Sequence, residues 1–260
     1  MATENTVLTE KRDSVFYITL NRPDALNAHN VAMEVALMDA LRSFQADNEL
    51  LVAVLTGAGG RAFSTGMDLK EVARYEEEGL GQRPYELLRF AEIGVWKPII
   101  GAIDGHCLAG GFELALQCDI RIATRPSTFG LPEPRWNYMA NYYGCHHLSR
   151  MIPLGEALYM QLTGNRIDAD VALRSGLVHS IHADRASLLE EADAIAEAIT
   201  MCSPLAIKAI KEVAMNGRSL PIGESYRMGE PLMWALGDLE DAVEGPKAYA
   251  EKRRPVWKMR

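Results

Sequence analysis

The sequence predicts an α/β fold in which short buried strands alternate with helices, followed by a segment that is helical only. Residues 51–55 (LVAVL) and 98–103 (PIIGAI) are apolar runs too short to form a helix. Such runs are typical of strands buried on both faces in a parallel sheet. Strand signals of this kind end at about residue 187. We therefore expect a mixed α/β core with a helical C-terminal part.

The first elements are a hairpin and a helix. Residues 7–10 and 15–20 are rich in β-forming side chains and flank the polar turn KRDS, which predicts two antiparallel strands. The next segment has apolar side chains at spacings of four, four and three residues, which predicts a helix with one buried face: Met33, Leu37, Leu41 and Phe44.

The middle of the chain repeats a strand-turn-helix order. After the buried strand at 98–103, residues 110–117 predict a helix and residues 120–123 predict another strand. Residues 71–87 differ, because they are polar and interrupted by glycine and proline. We expect this segment to be an exposed, mobile insertion that could act as a lid.

The C-terminal helices have recognisable end signals. Residues 187–190 (SLLE) fit a capping box, in which Ser187 and Glu190 would exchange hydrogen bonds with backbone N–H groups. Ser203 followed by proline predicts an N-cap with proline at the first helical position. Gly217 stands where a C-cap glycine is expected.

Composition excludes several classes of protein. The formal net charge is -8, which argues against a nucleic-acid binder that relies on a general basic field. No apolar run approaches the roughly 20 residues that a membrane-spanning helix needs. The four cysteines are widely spaced and form no C-x-x-C pair, as is usual in a reducing compartment. With no leader-like pattern at the N-terminus, we expect a cytoplasmic protein that does not bind membranes or nucleic acid.

Three common site motifs are missing or incomplete. The glycine-rich segment 57–61 follows a strand but completes neither the dinucleotide-binding nor the P-loop pattern. The chain has no G-x-S-x-G nucleophile elbow. Residues 145–147 (CHH) lack a second cluster at zinc spacing, so we assign no metal ion.

Two glycine-containing turns are better candidates for chemistry. Residues 105–113 (GHCLAGGFE) join a predicted strand to a predicted helix, so the backbone N–H of Gly110 lies in the first helical turn. There the helix dipole favours a developing negative charge. Close packing of helix on strand explains these glycines equally well. Residues 61–70 (RAFSTGMDLK) form a second turn of the same kind, and two such turns could supply two donors to one oxyanion.

Together with residues 21–28 (NRPDALNA), these turns resemble the crotonase (enoyl-CoA hydratase/isomerase) superfamily. The resemblance extends from about residue 7 to the C-terminus. Its further segments are residues 109–115, 129–133, 162–164, 175–178 and 244–253.

The resemblance implies a crotonase-like spiral of repeated ββα units with a C-terminal helical trimerisation region. Residues 1–196 would form the spiral core with the acyl-CoA site, and residues 197–260 the helical oligomerisation region. It also implies a homotrimer or a dimer of trimers.

By the same resemblance, the backbone N–H groups of Met67 and Gly110 form the oxyanion hole for the thioester carbonyl. Arg22 and Lys70 could assist in binding the phosphates. No separate cofactor is implied, since coenzyme A is part of the substrate. Coenzyme A would lie along the following residues: Ala25, Leu26, Thr65, Met67, Asp68, Leu69 and Lys70.

Glu113 and Glu133 match the two glutamates that hydratases of this superfamily use together. The resemblance implies reversible hydration of a 2-enoyl-CoA, in which Glu113 activates water and Glu133 exchanges the α-proton. Burial and like-charge repulsion at a shared water would raise the pKa of at least one of them.

The sequence departs from the hydratase pattern after Glu133. Residues 134–137 (PRWN) replace an aliphatic run, and residues 140–143 (ANYY) replace a glycine-rich turn. Asn141 stands where hydratases usually have a glycine whose amide helps to position the water. Two alternatives therefore stay open: another enolate reaction, either double-bond isomerisation or C–C bond hydrolysis, and a non-catalytic acyl-CoA binder or assembly partner.

Overall fold

The structure is a computed structural model that describes residues 5–79 and 93–260. In these ranges the strands are β1 (Val7–Arg12), β2 (Val15–Leu20), β3 (Val52–Gly57), β4 (Ala62–Ser64), β5 (Ile99–Ile103), β6 (His106–Leu108), β7 (Ile120–Thr124), β8 (Thr128–Gly130), β9 (Arg166–Asp168) and β10 (Ser180–His182). The helices are α1 (Val31–Ala46), α2 (Leu69–Glu77), α3 (Gly110–Gln117), α4 (Gly144–Met151), α5 (Leu154–Thr163), α6 (Ala169–Arg174), α7 (Arg185–Thr200), α8 (Pro204–Gly217), α9 (Ile222–Gly237) and α10 (Asp241–Glu251).

The strands form two sheets. The larger has the order β1-β2-β3-β5-β7-β10 and is parallel except for the β1–β2 hairpin. The smaller has the order β4-β6-β8-β9, in which only β9 runs antiparallel. From β3 to β8, successive strands alternate between the two sheets, so that β3–β4–α2, β5–β6–α3 and β7–β8–α4 are three consecutive ββα units. The predicted α/β fold with ββα repeats is confirmed.

The apolar run of β3 is explained by burial on both faces. Ala53 and Leu55 belong to the main core cluster, whereas Val52 and Val54 pack in a second cluster beneath helix α7. Because successive strand residues point to opposite faces, a strand covered on both sides must be apolar throughout. The residues of α7 that cover it are Leu188, Ala192 and Ala196.

The first part of the exposed insertion predicted at 71–87 is helical, and none of its residues up to Glu77 is buried. Residues up to Glu77 continue helix α2, and residues 80–87 lie outside the described residues. Helix α2 begins because the side chain of Asp68 accepts a hydrogen bond from the N–H of Lys70. Arg74 lies 4.0 Å from both Glu71 and Glu78, and such pairs one turn apart support a polar helix.

Two predicted helix ends were also misplaced. The cap of α7 is Asp184, which accepts a hydrogen bond from the N–H of Ser187 at 2.9 Å, so the helix starts before the predicted Ser187–Glu190 box. Gly217 is the last residue of α8 and not its cap. A methyl group on Gly217 would lie 2.3 Å from the hydroxyl of Ser225, so this glycine allows α8 and α9 to pack closely.

Other predicted elements are confirmed. The hairpin, α1, β5, α3 and β7 lie where the sequence placed them, although β1 extends to Arg12 and its turn is shorter. The predicted N-cap at Ser203 is present, with Pro204 at the first helical position. Across residues 5–79 and 93–260, no helix has the length and apolar character to cross a bilayer. The division at residue 196 stays a prediction, and α7 runs through that position.

Candidate active site

The two glycine-containing turns lie against each other. A methyl group placed on Gly66 would lie 2.7 Å from the backbone nitrogen of Gly110, and one on Gly110 would lie 3.9 Å from the nitrogen of Met67. Gly66 has a φ of 84°, a conformation that favours glycine. Within the described part of the chain, neither the Met67 nor the Gly110 amide donates a hydrogen bond. Two unused backbone donors therefore flank one narrow gap.

Ala109 has an unusual backbone conformation for a residue with a side chain. Its φ is 50° and its ψ is -135°, and its own N–H donates to the carbonyl of Gly130 at 2.9 Å. Its carbonyl oxygen accepts hydrogen bonds from Phe112 and Glu113 and thereby closes the first turn of α3. Backbone strain of this kind is concentrated at functional sites. It brings the chain abruptly from β6 into α3, with Gly110 as the first helical residue.

The structure brings the predicted coenzyme A residues together. Ala25 and Leu26 end a short 3-10 turn, and the hydroxyl of Thr65 donates to the carbonyl of Leu26 at 3.4 Å. Met67 pairs with His29 in an isolated parallel bridge. The remaining predicted contact residues follow at the start of α2: Asp68, Leu69 and Lys70.

Arg22 uses one nitrogen of its guanidinium for contacts within the protein. Its Nη1 donates to Asp68 Oδ2 at 2.9 Å and to the carbonyl of Ala28 at 2.6 Å. The side chains of Arg22 and Asp68 are only 19% and 15% exposed. This ion pair connects the turn that contains residues 22–28 to the start of α2. Lys70, by contrast, is exposed.

Glu113 is buried in α3 and holds the start of α4. Its Oε1 accepts hydrogen bonds from the backbone N–H groups of Tyr142, Tyr143 and Gly144 at 3.0, 2.8 and 2.9 Å. The residue is 3% exposed. Burial raises the pKa of Glu113, and the three backbone hydrogen bonds offset part of that rise. One carboxylate oxygen is thus fixed in direction.

Glu133 begins the 3-10 turn Glu133–Trp136. Its Oε2 is buried and has no hydrogen-bond partner among the described residues. Burial, together with the charge of Glu113, raises the pKa of Glu133 to about 7. The two carboxyl groups therefore lie within electrostatic reach of each other. Both also contribute, after burial, to raising the pKa of the Cys145 thiol.

Asn141 does not offer its amide to the site. Its N–H donates to the carbonyl of Met139 at 2.8 Å, and its Oδ1 lies 3.1 Å from His146 Nε2. Trp136 and Tyr138 are 62% and 47% exposed. The segment that departs from the hydratase pattern thus presents aromatic surface beside Glu133.

Sequence reasoning missed two buried polar residues and a set of backbone donors. His29 and Ser64 lie beneath the Met67 turn with Nε2 and Oγ 2.8 Å apart. No motif signals them, because each is a lone polar residue in a predicted turn or strand. The donors to Glu113 are main-chain atoms, and only Gly144, where a methyl group would meet Ala140 at 2.7 Å, marks a tight turn there.

In residues 5–79 and 93–260, no group of three His, Cys, Asp or Glu side chains is placed to bind a metal ion. His146 and Cys145 lie in helix α4. His146 pairs with Asn141 across 3.1 Å.

Neighbouring ββα units thus supply two backbone amides that are unused among the described residues, at Met67 and Gly110, and two glutamates with raised pKa values, at positions 113 and 133. A family model for enoyl-CoA hydratase/isomerase matches residues 10–260, and the chain belongs to that family, within the crotonase superfamily. The predicted family is confirmed.

Relatives and solved structures align along nearly the whole chain. An (E)-benzylidenesuccinyl-CoA hydratase of Thauera aromatica is 36% identical, over 97% of this chain and 98% of the relative. A carnitinyl-CoA dehydratase of Salmonella typhi is 36% identical, over 95% of each. The crystal structure of an enoyl-CoA hydratase from Mycobacterium tuberculosis H37Rv is similar at a TM-score of 0.90 with 38% identity, covering 98% of this chain and 99% of that one.

Proposed function

We propose that this protein catalyses the reversible hydration of a 2-enoyl-CoA thioester to a 3-hydroxyacyl-CoA. The observation that carries the proposal is the glutamate pair: Glu113 is held by three backbone donors, and half-buried Glu133 feels its charge and has a pKa raised to about 7. At neutral pH such a pair can hold one proton and one negative charge, as a water addition requires.

In this mechanism the N–H groups of Met67 and Gly110 bind the thioester oxygen. Glu113 takes a proton from water as the water oxygen bonds to the β-carbon, and the electron pair of the double bond moves onto the thioester as an enolate. The two amides stabilise that negative charge. Glu133 then donates its proton to the α-carbon. The pair ends with the proton on Glu113, and exchange with solvent restores the starting state.

Coenzyme A would bind along the two linked turns that contain Ala25, Leu26 and residues 65–70. The glycine at position 66 and the strained Ala109 allow a ligand to approach the backbone closely. Exposed Lys70 is the stronger candidate for a phosphate contact, because Nη1 of Arg22 already donates to Asp68 and Ala28. No cofactor other than the coenzyme A of the substrate enters the scheme.

A test uses crotonyl-CoA and a cinnamoyl-type enoyl-CoA, with loss of the conjugated thioester absorbance as the readout. Glu113→Gln and Glu133→Gln should each lower kcat by at least about 100-fold. Glu190→Gln changes an exposed glutamate of α7 in the same way and should leave kcat unchanged. Unaltered turnover in both active-site variants would rule out the mechanism.

One observation favours a second candidate, double-bond isomerisation. The Asn141 N–H is occupied by the Met139 carbonyl, so water would be held by the carboxylates alone. Isomerisation needs only a carboxyl group that moves a proton between the α- and γ-carbons, for which Glu133 is suited. Supplying a 3-enoyl-CoA and following formation of the conjugated thioester separates the two reactions.

The assembly and location complete the proposal. Helices α9 and α10 expose large apolar side chains, which supports a homotrimer or a dimer of trimers in which these helices are covered. The four cysteines are free thiols, which is consistent with a reducing, cytoplasmic environment.

A further inference from the structure

Ser64 and His29 form a buried polar pair between the two oxyanion turns. Ser64 ends β4 and is 0% exposed, and His29 is 4% exposed. Ser64 Oγ lies 2.8 Å from His29 Nε2 and also accepts a hydrogen bond from the N–H of Gly66 at 3.1 Å. Burying these polar groups is costly unless their hydrogen bonds are made, so the arrangement is well defined.

The backbone of His29 sets the direction of the Met67 N–H. The carbonyl of Gly66 accepts a hydrogen bond from the N–H of His29 at 2.7 Å. That carbonyl belongs to the same peptide unit as the Met67 N–H. Because a trans peptide is planar, fixing its C=O also fixes the opposite direction of its N–H. The N–H of Asp68 donates back to the His29 carbonyl at 2.9 Å, so the units on both sides of Met67 are held.

The same serine also bounds the Gly110 turn. A methyl group on Gly111 would lie 2.5 Å from the carbonyl oxygen of Ser64 and 2.6 Å from its Oγ. Helix α3 therefore rests directly on Ser64 at its second residue. Ser64 therefore contacts both the turn that carries the Met67 amide and the helix that begins with the Gly110 amide.

We infer that the Ser64–His29 pair positions the two oxyanion donors: Ser64 sets their separation, and its contact with the His29 ring holds in place the His29 main chain, which orients the Met67 N–H. The inference rests on the oxyanion hole of the proposed function. Both are positioning residues, since neither contacts the reacting atoms. A displaced donor should weaken binding of the enolate much more than binding of the thioester.

The test measures polarisation of a bound conjugated thioester. Hydrogen bonds to the carbonyl oxygen of cinnamoyl-CoA favour its charge-separated form and shift its absorption to longer wavelength. All variants are measured in a Glu133→Gln background, because this substitution should keep the enzyme from consuming the cinnamoyl-CoA. Ser64→Ala and His29→Leu should lose at least half of the shift, whereas His29→Gln, which keeps a side-chain amide at this position, should keep most of it.

Ser127→Ala is the matched control. Ser127 is also 0% exposed, and its Oγ accepts from the N–H of Gly105 at 3.1 Å and donates to the carbonyl of Ile103 at 3.0 Å. This variant should lose stability but keep the full shift. In otherwise unchanged enzyme, Ser64→Ala should lower kcat on crotonyl-CoA about 10- to 100-fold while KM changes by less than about threefold.

Each outcome decides the question. A full shift in Ser64→Ala, or an equal loss in Ser127→Ala, overturns the positioning role. Should Ser64→Ala fail to fold, the comparison of His29→Leu with His29→Gln takes its place, and equal shifts in those two overturn it. A Glu133→Gln protein that binds cinnamoyl-CoA with no shift at all contradicts the oxyanion hole itself, and the inference with it.

Discussion

Oε1 of Glu113 accepts a hydrogen bond from the N–H of Gly144 across 2.9 Å, and Gly144 is the first residue of helix α4. Tyr142 and Tyr143 donate to the same oxygen. A carboxylate of α3 thus caps α4, where the helix dipole favours its negative charge. The position of the carboxylate and the stability of α4 depend on each other.

Glu113→Ala should therefore lose stability as well as activity. Three backbone donors would lose their acceptor in a buried site, and we expect the free energy of unfolding to fall by about 2–3 kcal/mol. Glu113→Gln keeps an oxygen acceptor and should lose less stability, although it too should be inactive. Urea denaturation of both variants checks this. Equal stability losses for alanine and glutamine would contradict the capping role.

Glu133 should make stability depend on pH. Burial raises its pKa from 4.5 to about 7, so the folded state disfavours the ionised form. The stability that protonated Glu133 contributes is fully present below 4.5, the pKa of the unfolded state, and is lost as pH rises through about 7. Wild type should lose up to about 3 kcal/mol of stability, relative to Glu133→Gln, between pH 5 and pH 8. Parallel pH profiles of the two proteins in urea denaturation would refute this.

Activity should also depend on the protonation of Glu133. Hydration requires the glutamate pair to hold a single proton, so kcat/KM should fall as pH rises through about 7. The apparent pKa of this fall belongs to the two coupled glutamates together and not to one residue. A rate that rises between pH 7 and pH 9 would show that Glu133 is not the proton donor.

The fold was predictable because its signals are local. The apolar β3 run and the spacing from Met33 to Phe44 each follow from periodicity within a few residues. Helix α2 was missed because its stability depends on the Asp68 cap and charged pairs and not on an apolar face.

The site was predictable only through family resemblance. The resemblance indicated Glu113 and Glu133, but the donors to Glu113 are main-chain groups of residues 142–144, and no side-chain pattern identifies them. His29 and Ser64 lie 35 positions apart in sequence and meet only in the folded chain. Polar pairs between residues so far apart in sequence produce no periodic pattern from which they could be predicted.

Gly66→Ala should abolish activity. The added methyl group would lie 2.7 Å from both the Cβ of Ala109 and the nitrogen of Gly110, and it would enter the gap between the two donors. Gly176→Ala is the matched control, since Gly176 has a φ of 78° but a methyl group there would have no atom of residues 5–79 or 93–260 within 4 Å. The control should lose about 1 kcal/mol from backbone strain alone and keep full activity. An active Gly66→Ala enzyme would contradict the crowded gap.

Arg22 and Lys70 should differ in what their loss affects. Arg22→Ala leaves the largely buried Asp68 without its partner, and we expect a loss of about 1–3 kcal/mol in unfolding free energy. Lys70→Ala should leave stability unchanged and raise KM for CoA thioesters about two- to fivefold at low salt, with the effect shrinking at high salt. An unchanged KM in Lys70→Ala, or a KM increase over wild type that is the same at low and high salt, would exclude the phosphate contact.

The apolar side chains of α9 and α10 should control assembly. Trp234 is 65% exposed and Tyr249 is 88% exposed, more than a stable isolated surface usually tolerates for such large groups. If these helices form the subunit interface, Trp234→Asp would bury an unpaired charge there and should convert trimers to monomers in light scattering. Leu8→Asp, on the 42%-exposed Leu8 of strand β1, is the matched control and should leave the molar mass unchanged. Because the control adds the same charge outside the predicted interface, monomers in both variants would refute the assignment to α9 and α10, and trimers in both would show that Trp234 lies outside the contact.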